Sequence, residues 1–121
     1  QRQRTRFCLP IIAHPGLQWV LADMAMQVDA ARALVYAPAR WIDACAKRPT
    51  KESAMSKCFA SDVAMKVTID AIQIFGGVGY TKEYPIEKYA RDAKITQIYE
   101  GTNQIQRDEI ALALIKEAAR G

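Results

Sequence analysis

Residues 50–77 read TKESAMSKCFASDVAMKVTIDAIQIFGG, and this stretch decides the fold. Met55, Phe59, Val63 and Val67 recur every four residues, and Ile74 continues that side. Steps of three and four place side chains on one face of a helix. Cys58, Met65, Ile69 and Ile72 widen the apolar surface over most of the girth. A helix of that kind is expected to pack between neighbours rather than lie on a surface. Thr50 suits the N-cap and Glu52 the first turn, where the helix dipole favours an acid. Gly76-Gly77 stops the helix by supplying a positive-φ position.

Upstream, Leu17, Val20, Leu21, Met24, Val28, Ala31 and Val35 repeat the same steps. They predict one long helix from Pro15 to Lys47. Pro15 fits the first helical position, where a missing N–H is harmless. Pro38 lies inside the pattern and is expected to kink or divide the helix. Downstream, GGVGYTKEYP (76–85) reads as a loop. A short helix follows Pro85 through Glu87 to Ile95, and Thr96 to Gly101 reads as a turn. The last helix is expected from Thr102 to Arg120, with Ile105, Leu112 and Ile115 on its buried face. No useful run alternates with period two. The expectation is therefore all-α: an up-and-down bundle of four helices over 15–121, preceded by an arm over 1–14.

The 121 residues include 17 basic and 13 acidic ones, a net charge of +4. A chain of this length is one ordinary domain that buries roughly two-thirds of its unfolded surface. Disordered, collagenous and disulfide-scaffold classes are excluded by composition. Arg2, Arg4 and Arg6 hold the excess charge in the arm, so no basic patch for nucleic acid is expected on the body. Cys8, Cys45 and Cys58 are far apart, with no C-x-x-C and a single histidine. That argues against a disulfide framework and a zinc site, and for thiols in a reducing compartment. Charges interrupt every long apolar stretch, so no membrane span is expected. No cleavable signal follows the Arg-rich start. The chain begins at Gln1 and its first methionine is Met24, which suggests a piece of something larger.

Three features bear chemistry. Gly76, Gly77 and Gly79 contain a G-x-G, but no strand precedes it, the third fingerprint glycine is absent, and Lys82 lacks P-loop spacing. A helix stop competes with a phosphate cradle there, and small residues would let a flat ring approach the backbone. Glu100 sits in Ile98-Tyr99-Glu100-Gly101-Thr102, just before a helix. It reads either as a surface glutamate or as a general base whose apolar neighbours desolvate it and raise its pKa. Thr102, Asn103 and Gln104 open the last helix and serve either as caps or as donors to a polar cofactor. His14 reads as a structural cap or surface residue, and Asp92 as half of a local ion-pair network.

The run IQIFGGVGYTKEYPIEKYARDAKITQIYEGTNQIQR, residues 72–107, closely resembles the C-terminal signature of the acyl-CoA dehydrogenase family. Q-I-F-G-G, E-Y-P, R-D-A-K-I and I-Y-E-G-T-x-Q-I-Q-R occur in the family's order. Arg4 to Phe7, His14 and Leu21-Ala22-Asp23-Met24-Ala25 resemble the start of the same helical domain. The resemblance implies α,β-dehydrogenation of an acyl-CoA to the trans-2-enoyl-CoA, with FAD taking the hydride. It assigns Glu100 as the base, as in the short- or medium-chain straight-chain type; other members place the base on an earlier helix. The N–H of the catalytic glutamate would help polarise the thioester carbonyl. Tyr99 and Gly101 would line the acyl path.

The same resemblance implies FAD contacts from Arg4 and Phe7 in the arm, from Gln73, Ile74, Phe75, Gly76 and Gly77 to a neighbouring subunit's flavin, and from Thr102 and Gln104. The chain departs from the pattern at Arg6, Cys8 and Pro15. Implied partners are further copies of the chain, as a dimer or tetramer, and an electron-transferring flavoprotein. The implied location is bacterial cytoplasm or mitochondrial matrix. Family members are several-fold longer, with an N-terminal helical domain, a middle β-domain and a further first helix of this bundle. The expectation is thus a helical piece, inactive alone, whose activity needs the rest of the enzyme. A non-catalytic assembly module of a dehydrogenase-like complex is the alternative that Arg6, Cys8 and Pro15 favour, and a basic nucleic-acid binder is one that only the arm supports.

Overall fold

The computed structural model describes residues 5–6, 9–44 and 49–121, with the side chains of 5–6 left aside. Its elements are β1 (Thr5–Arg6), β2 (Leu9–Pro10), a 3-10 turn (Ile11–Ala13), α1 (Pro15–Asp43), α2 (Thr50–Phe75), α3 (Gly77–Tyr80), α4 (Ile86–Thr96) and α5 (Asn103–Ala118). The all-α expectation holds, apart from one antiparallel pair of two-residue strands within the arm. Helix α2 is the hub: α1, α4 and α5 each pack against it, as its apolar girth requires. The core is built from small side chains, Ala31, Ala54, Cys58, Ala90 and Ala93, with Val63 and Ile74.

Helix α1 runs unbroken through Pro38, which is buried. A proline at this place removes the N–H that would bond the carbonyl of Leu34. The hydroxyl of buried Ser56, on α2, lies 2.8 Å from that carbonyl and 2.7 Å from the carbonyl of Glu52. The orphaned acceptor thus has a donor from the neighbouring helix, and the helix continues instead of dividing. Ser56→Ala is expected to lower stability by about 1–3 kcal/mol, the usual cost of a buried polar group left unpaired. Thermal unfolding of the full-length protein checks this, and an unchanged midpoint would contradict it. The helix ends at Asp43, and residues 45–48 lie outside the described ones.

Four other expectations are corrected. Thr50 is the first helical residue and not a cap; Pro49 precedes it, and its carbonyl accepts from the Ser53 N–H at 2.8 Å. The stretch after Gly76 contains a one-turn helix, α3, and is not all loop. Gly79 lets that turn sit against α2, since a Cβ there would come within 2.5 Å of the Phe75 Cβ. Thr96 closes α4, so the turn starts at Gln97. The face of α5 is also different. Ile105, Leu112 and Ile115 are 52%, 51% and 65% exposed, while Asn103 is buried and Gln106, Ile110 and Ala113 half-buried. Periodicity marks an apolar stripe, but α2 offers polar partners, and these draw the opposite side of α5 inward.

Gly76 carries φ 71, which makes it the positive-φ stop that was expected for α2. Phe75 meets Tyr84 edge-on, with ring centroids 5.4 Å apart, and so fastens the 81–85 segment to the end of α2.

Candidate active site

The turn between α4 and α5 has unusual backbone geometry. Glu100 has φ 52 and Gly101 φ 85, and Glu100 is the one non-glycine residue with positive φ among the described residues. A left-handed conformation costs a residue with a Cβ roughly 1–2 kcal/mol, and such strain gathers at functional sites. Around it, the Asn103 N–H bonds the Gln97 carbonyl at 3.0 Å, and the Thr102 hydroxyl accepts from the Ile105 N–H at 3.4 Å as N-cap. Gly101 is favoured by its φ, and a Cβ there would lie 2.9 Å from the Gln106 amide nitrogen and push that side chain aside.

Behind the turn lies a polar network centred on Asn103, which is 4% exposed. Its Oδ1 accepts from Lys57 Nζ at 2.7 Å, and its Nδ2 donates to Asp62 Oδ1 at 2.8 Å. A lysine can only donate and a carboxylate only accept, so the chemistry fixes the amide orientation. Ser61 completes the shell, 2.8 Å from the same Nδ2. Arg107 pairs with Asp62 at 2.7 Å, and the Gln97 amide donates to Asp62 at 2.7 Å. Thus α2, α5 and the start of the turn after α4 are locked together immediately behind Glu100.

Burial pushes the Asp62 carboxyl up, but hydrogen bonds from Arg107, Gln97 and Asn103 outweigh it and hold the group below the ordinary value. A carboxyl that is more acidic in the folded chain stabilises it fully above the unfolded value. That contribution fades as pH falls through the lower folded value. The stability gap between wild type and Asp62→Asn is therefore expected to be constant near neutrality and to narrow below about pH 4. Denaturant titrations across that range check it, and a gap that widens in acid would contradict it.

Glu100 faces a groove of about 650 Å³ between the end of α1 (Ile42), the start of α2 (Pro49, Ser53, Lys57) and Gln106 of α5. Tyr99 faces a second hollow of about 220 Å³ with Ala60, Ala64 and Thr96. Lys57 lines both. Glu100 itself is exposed, and Ile98 and Tyr99 are 50% and 51% exposed. The expected desolvation by these two neighbours is not made within this chain.

The structure brings Tyr99, Glu100, Gly101 and Thr102 onto one turn, with Gln104 in the first turn of α5. It sets Gln73, Ile74, Phe75, Gly76 and Gly77 apart from them, at the far end of α2. Lys57, which bonds the turn, is 16 residues from Gln73, roughly 24 Å along the helix axis. One chain therefore does not join the two groups. Gln73 and Gln104 present exposed amides with no side-chain partner among the described residues. Ile74 is buried, and Phe75 is packed on Tyr84. Arg4, Phe7, Cys8 and Cys45 lie outside the described residues, and Arg6 only enters β1. His14 occupies the N-cap position of α1 without a side-chain cap bond. Asp92 pairs with Lys88, beside an Arg91–Glu87 pair, as a local ion-pair network. No described helix is long and apolar enough to cross a membrane.

Sequence reasoning missed Lys57, Asp62, Gln97 and Arg107, and it read Asn103 only as a cap or a donor to a polar cofactor, not as the centre of a buried network. The available signal was Ser56, Ser61 and Asp62 interrupting the apolar girth of α2, since polar groups inside a packed helix require partners.

An all-α domain that presents a strained glutamate over a groove defines a helical, acid-bearing class of site. The comparisons with known proteins narrow it. The family described as acyl-CoA dehydrogenase, C-terminal domain, matches residues 1–115, and the chain belongs to that family. It is 52% identical over 118 residues to a cyclohexane-1-carbonyl-CoA dehydrogenase of Geobacter metallireducens, covering 98% of this chain and 31% of that one. The structure of butyryl-CoA dehydrogenase from Megasphaera elsdenii superposes with a TM-score of 0.91 at 47% identity, over 94% of this chain and 30% of that one. A chain from a study of the electron transferring flavoprotein of Acidaminococcus fermentans gives a TM-score of 0.90 at 52% identity, over 93% of this chain and 30% of that one. The chain thus spans about a third of the length of these relatives.

Proposed function

We propose that residues 1–121 form the C-terminal helical domain of a flavoprotein that oxidises an acyl-CoA to its trans-2-enoyl-CoA, and that Glu100 is the base. The observation that carries this reading is the strained Glu100–Gly101 turn, held from behind by buried polar groups and open in front to a groove. In the forward reaction the Glu100 carboxylate takes the α-proton of the thioester, and the N–H of Glu100 supports the developing enolate oxygen. FAD, when bound, supplies the acceptor for the β-hydride.

The residues present suit such a cofactor. Gln73 and Gln104 offer exposed amides with no partner among the described residues, the Thr102 hydroxyl accepts from Ile105 and can still donate, and Gly77 leaves exposed backbone. Gln73–Gly77 lie far along α2 from the turn that carries Thr102, which agrees with what the resemblance implies, that the first group meets the flavin of a neighbouring copy of the chain. Arg4 and Phe7 add contacts from the arm. Tyr99 and Gly101 line the acyl path. An electron-transferring flavoprotein reoxidises the flavin, in keeping with the electron transferring flavoprotein study from which one structural neighbour comes. The bacterial origin of the relatives favours a bacterial cytoplasmic setting.

The exposed apolar side chains Trp19, Met26, Ile105 and Ile115 favour embedding of this domain in a larger protein. Activity accordingly needs the further domains of the longer relatives. Anaerobic addition of a straight-chain acyl-CoA to the full-length protein is expected to bleach the flavin absorbance, while the 121-residue piece shows neither stoichiometric FAD nor turnover. A full-length protein whose flavin is untouched by acyl-CoA would overturn the reading.

A further inference from the structure

The Glu100 turn is strained, and the groups that hold it come from outside it. A left-handed φ at a residue with a side chain, here Glu100, persists only where surrounding structure over-determines it. The carbonyl of Gly101 accepts from Lys57 Nζ at 2.7 Å, a donor 44 residues earlier in the chain on a different helix. The carbonyl of Glu100 accepts from the Gln106 amide at 3.0 Å. The peptide oxygens of Glu100 and of the glycine after it are therefore both fixed by side chains that line the same groove as Glu100.

We infer that Lys57 and Gln106 are positioning residues for Glu100, holding its peptide so that the carboxylate points into the groove. The inference rests on Glu100 being the base. Lys57 is the stronger of the two, because a charged donor makes the tighter bond. It is also held in turn: the same ammonium bonds Asn103 Oδ1 at 2.7 Å, and Asn103 is tied to Asp62. The ammonium thus joins the buried network to the turn, and α2 sets where the carboxylate stands. Lys57 also borders the Tyr99 hollow, so its stem forms part of the wall between the two spaces.

A base displaced by about 1 Å loses rate far more than it loses affinity, because proton transfer depends on near-contact geometry. The test uses the full-length flavoprotein with Lys57→Met and Gln106→Met, each close in shape and without a donor. Flavin content, acyl-CoA dissociation constant and the limiting rate of flavin reduction are measured for each. Lys57→Met is expected to slow reduction by about 10- to 100-fold, with flavin content and affinity within about twofold of wild type. Gln106→Met is expected to slow it by about 3- to 10-fold, as for loss of one neutral hydrogen bond. Wild-type reduction rates in both variants, or losses matched by equal losses of flavin or affinity, would overturn the inference. Should Lys57→Met fail to fold, Gln106→Met decides on its own, and a wild-type rate there overturns it. Glu100→Gln keeps the two claims separable. Rapid reduction in that variant removes the base assignment, whereas slow reduction beside wild-type rates in Lys57→Met and Gln106→Met removes only the positioning claim.

Discussion

Glu100→Gln in the full-length protein is expected to keep its flavin and to reduce it about 10²- to 10⁴-fold more slowly with acyl-CoA, the range a positioned general base contributes. Glutamine has the shape of glutamate but cannot accept the α-proton. The turn should survive, because Lys57 and Gln106 bond peptide carbonyls of Gly101 and Glu100 and not the carboxylate. Binding of flavin and thioester should therefore change little, and the loss should fall on the chemical step. Stopped-flow bleaching of the flavin reads this directly. A wild-type bleaching rate would end the assignment of Glu100.

Asn103→Ala is expected to produce the largest loss of stability, about 3 kcal/mol. It removes one hydrogen-bond partner each from Lys57, Ser61 and Asp62 at once, while Lys57 keeps the Gly101 carbonyl and Asp62 keeps Arg107 and Gln97, so the cost falls at the upper end of the usual range of about 1–3 kcal/mol. The loss should be felt at the end of α2 that meets α5, where the Lys57, Ser61 and Asp62 bonds all converge on this one amide. Asn103→Asp should fare no better. Its carboxylate would keep Lys57 but would stand 2.8 Å from the Asp62 oxygen that now accepts a hydrogen bond. Equilibrium unfolding of the full-length protein checks both, and an Asn103→Ala variant as stable as wild type would show that the network does not hold the bundle.

Much of the fold was legible because helical period and helix-stop chemistry are local. The α2 pattern led to a helix packed on several sides, and Gly76 stopped it with positive φ as its lack of a side chain allows. The continuation of α1 through Pro38 was not legible, since the carbonyl that the proline orphans meets Ser56, a residue on the next helix. The inward face of α5 was misread for a related reason. Its apolar stripe of Ile105, Leu112 and Ile115 is exposed in this chain, whereas polar Asn103 is buried by partners that only tertiary structure supplies. Glu100 was found from its place in the Y-E-G-T run, but its left-handed backbone and its tether to Lys57 were not. Those belong to contacts between residues far apart in the chain, which no local spacing encodes.

The central claim is that Glu100 removes the α-proton of an acyl-CoA thioester. It is tested most directly with full-length protein, in D2O, and an acyl-CoA that carries α-hydrogens but no β-hydrogen to transfer. Such a thioester can be deprotonated and reprotonated without being oxidised, so the base is isolated from the flavin step. NMR of the recovered thioester is expected to show deuterium at the α-carbon with the wild-type protein and none above background with Glu100→Gln. Equal α-deuteration by both proteins would contradict the account.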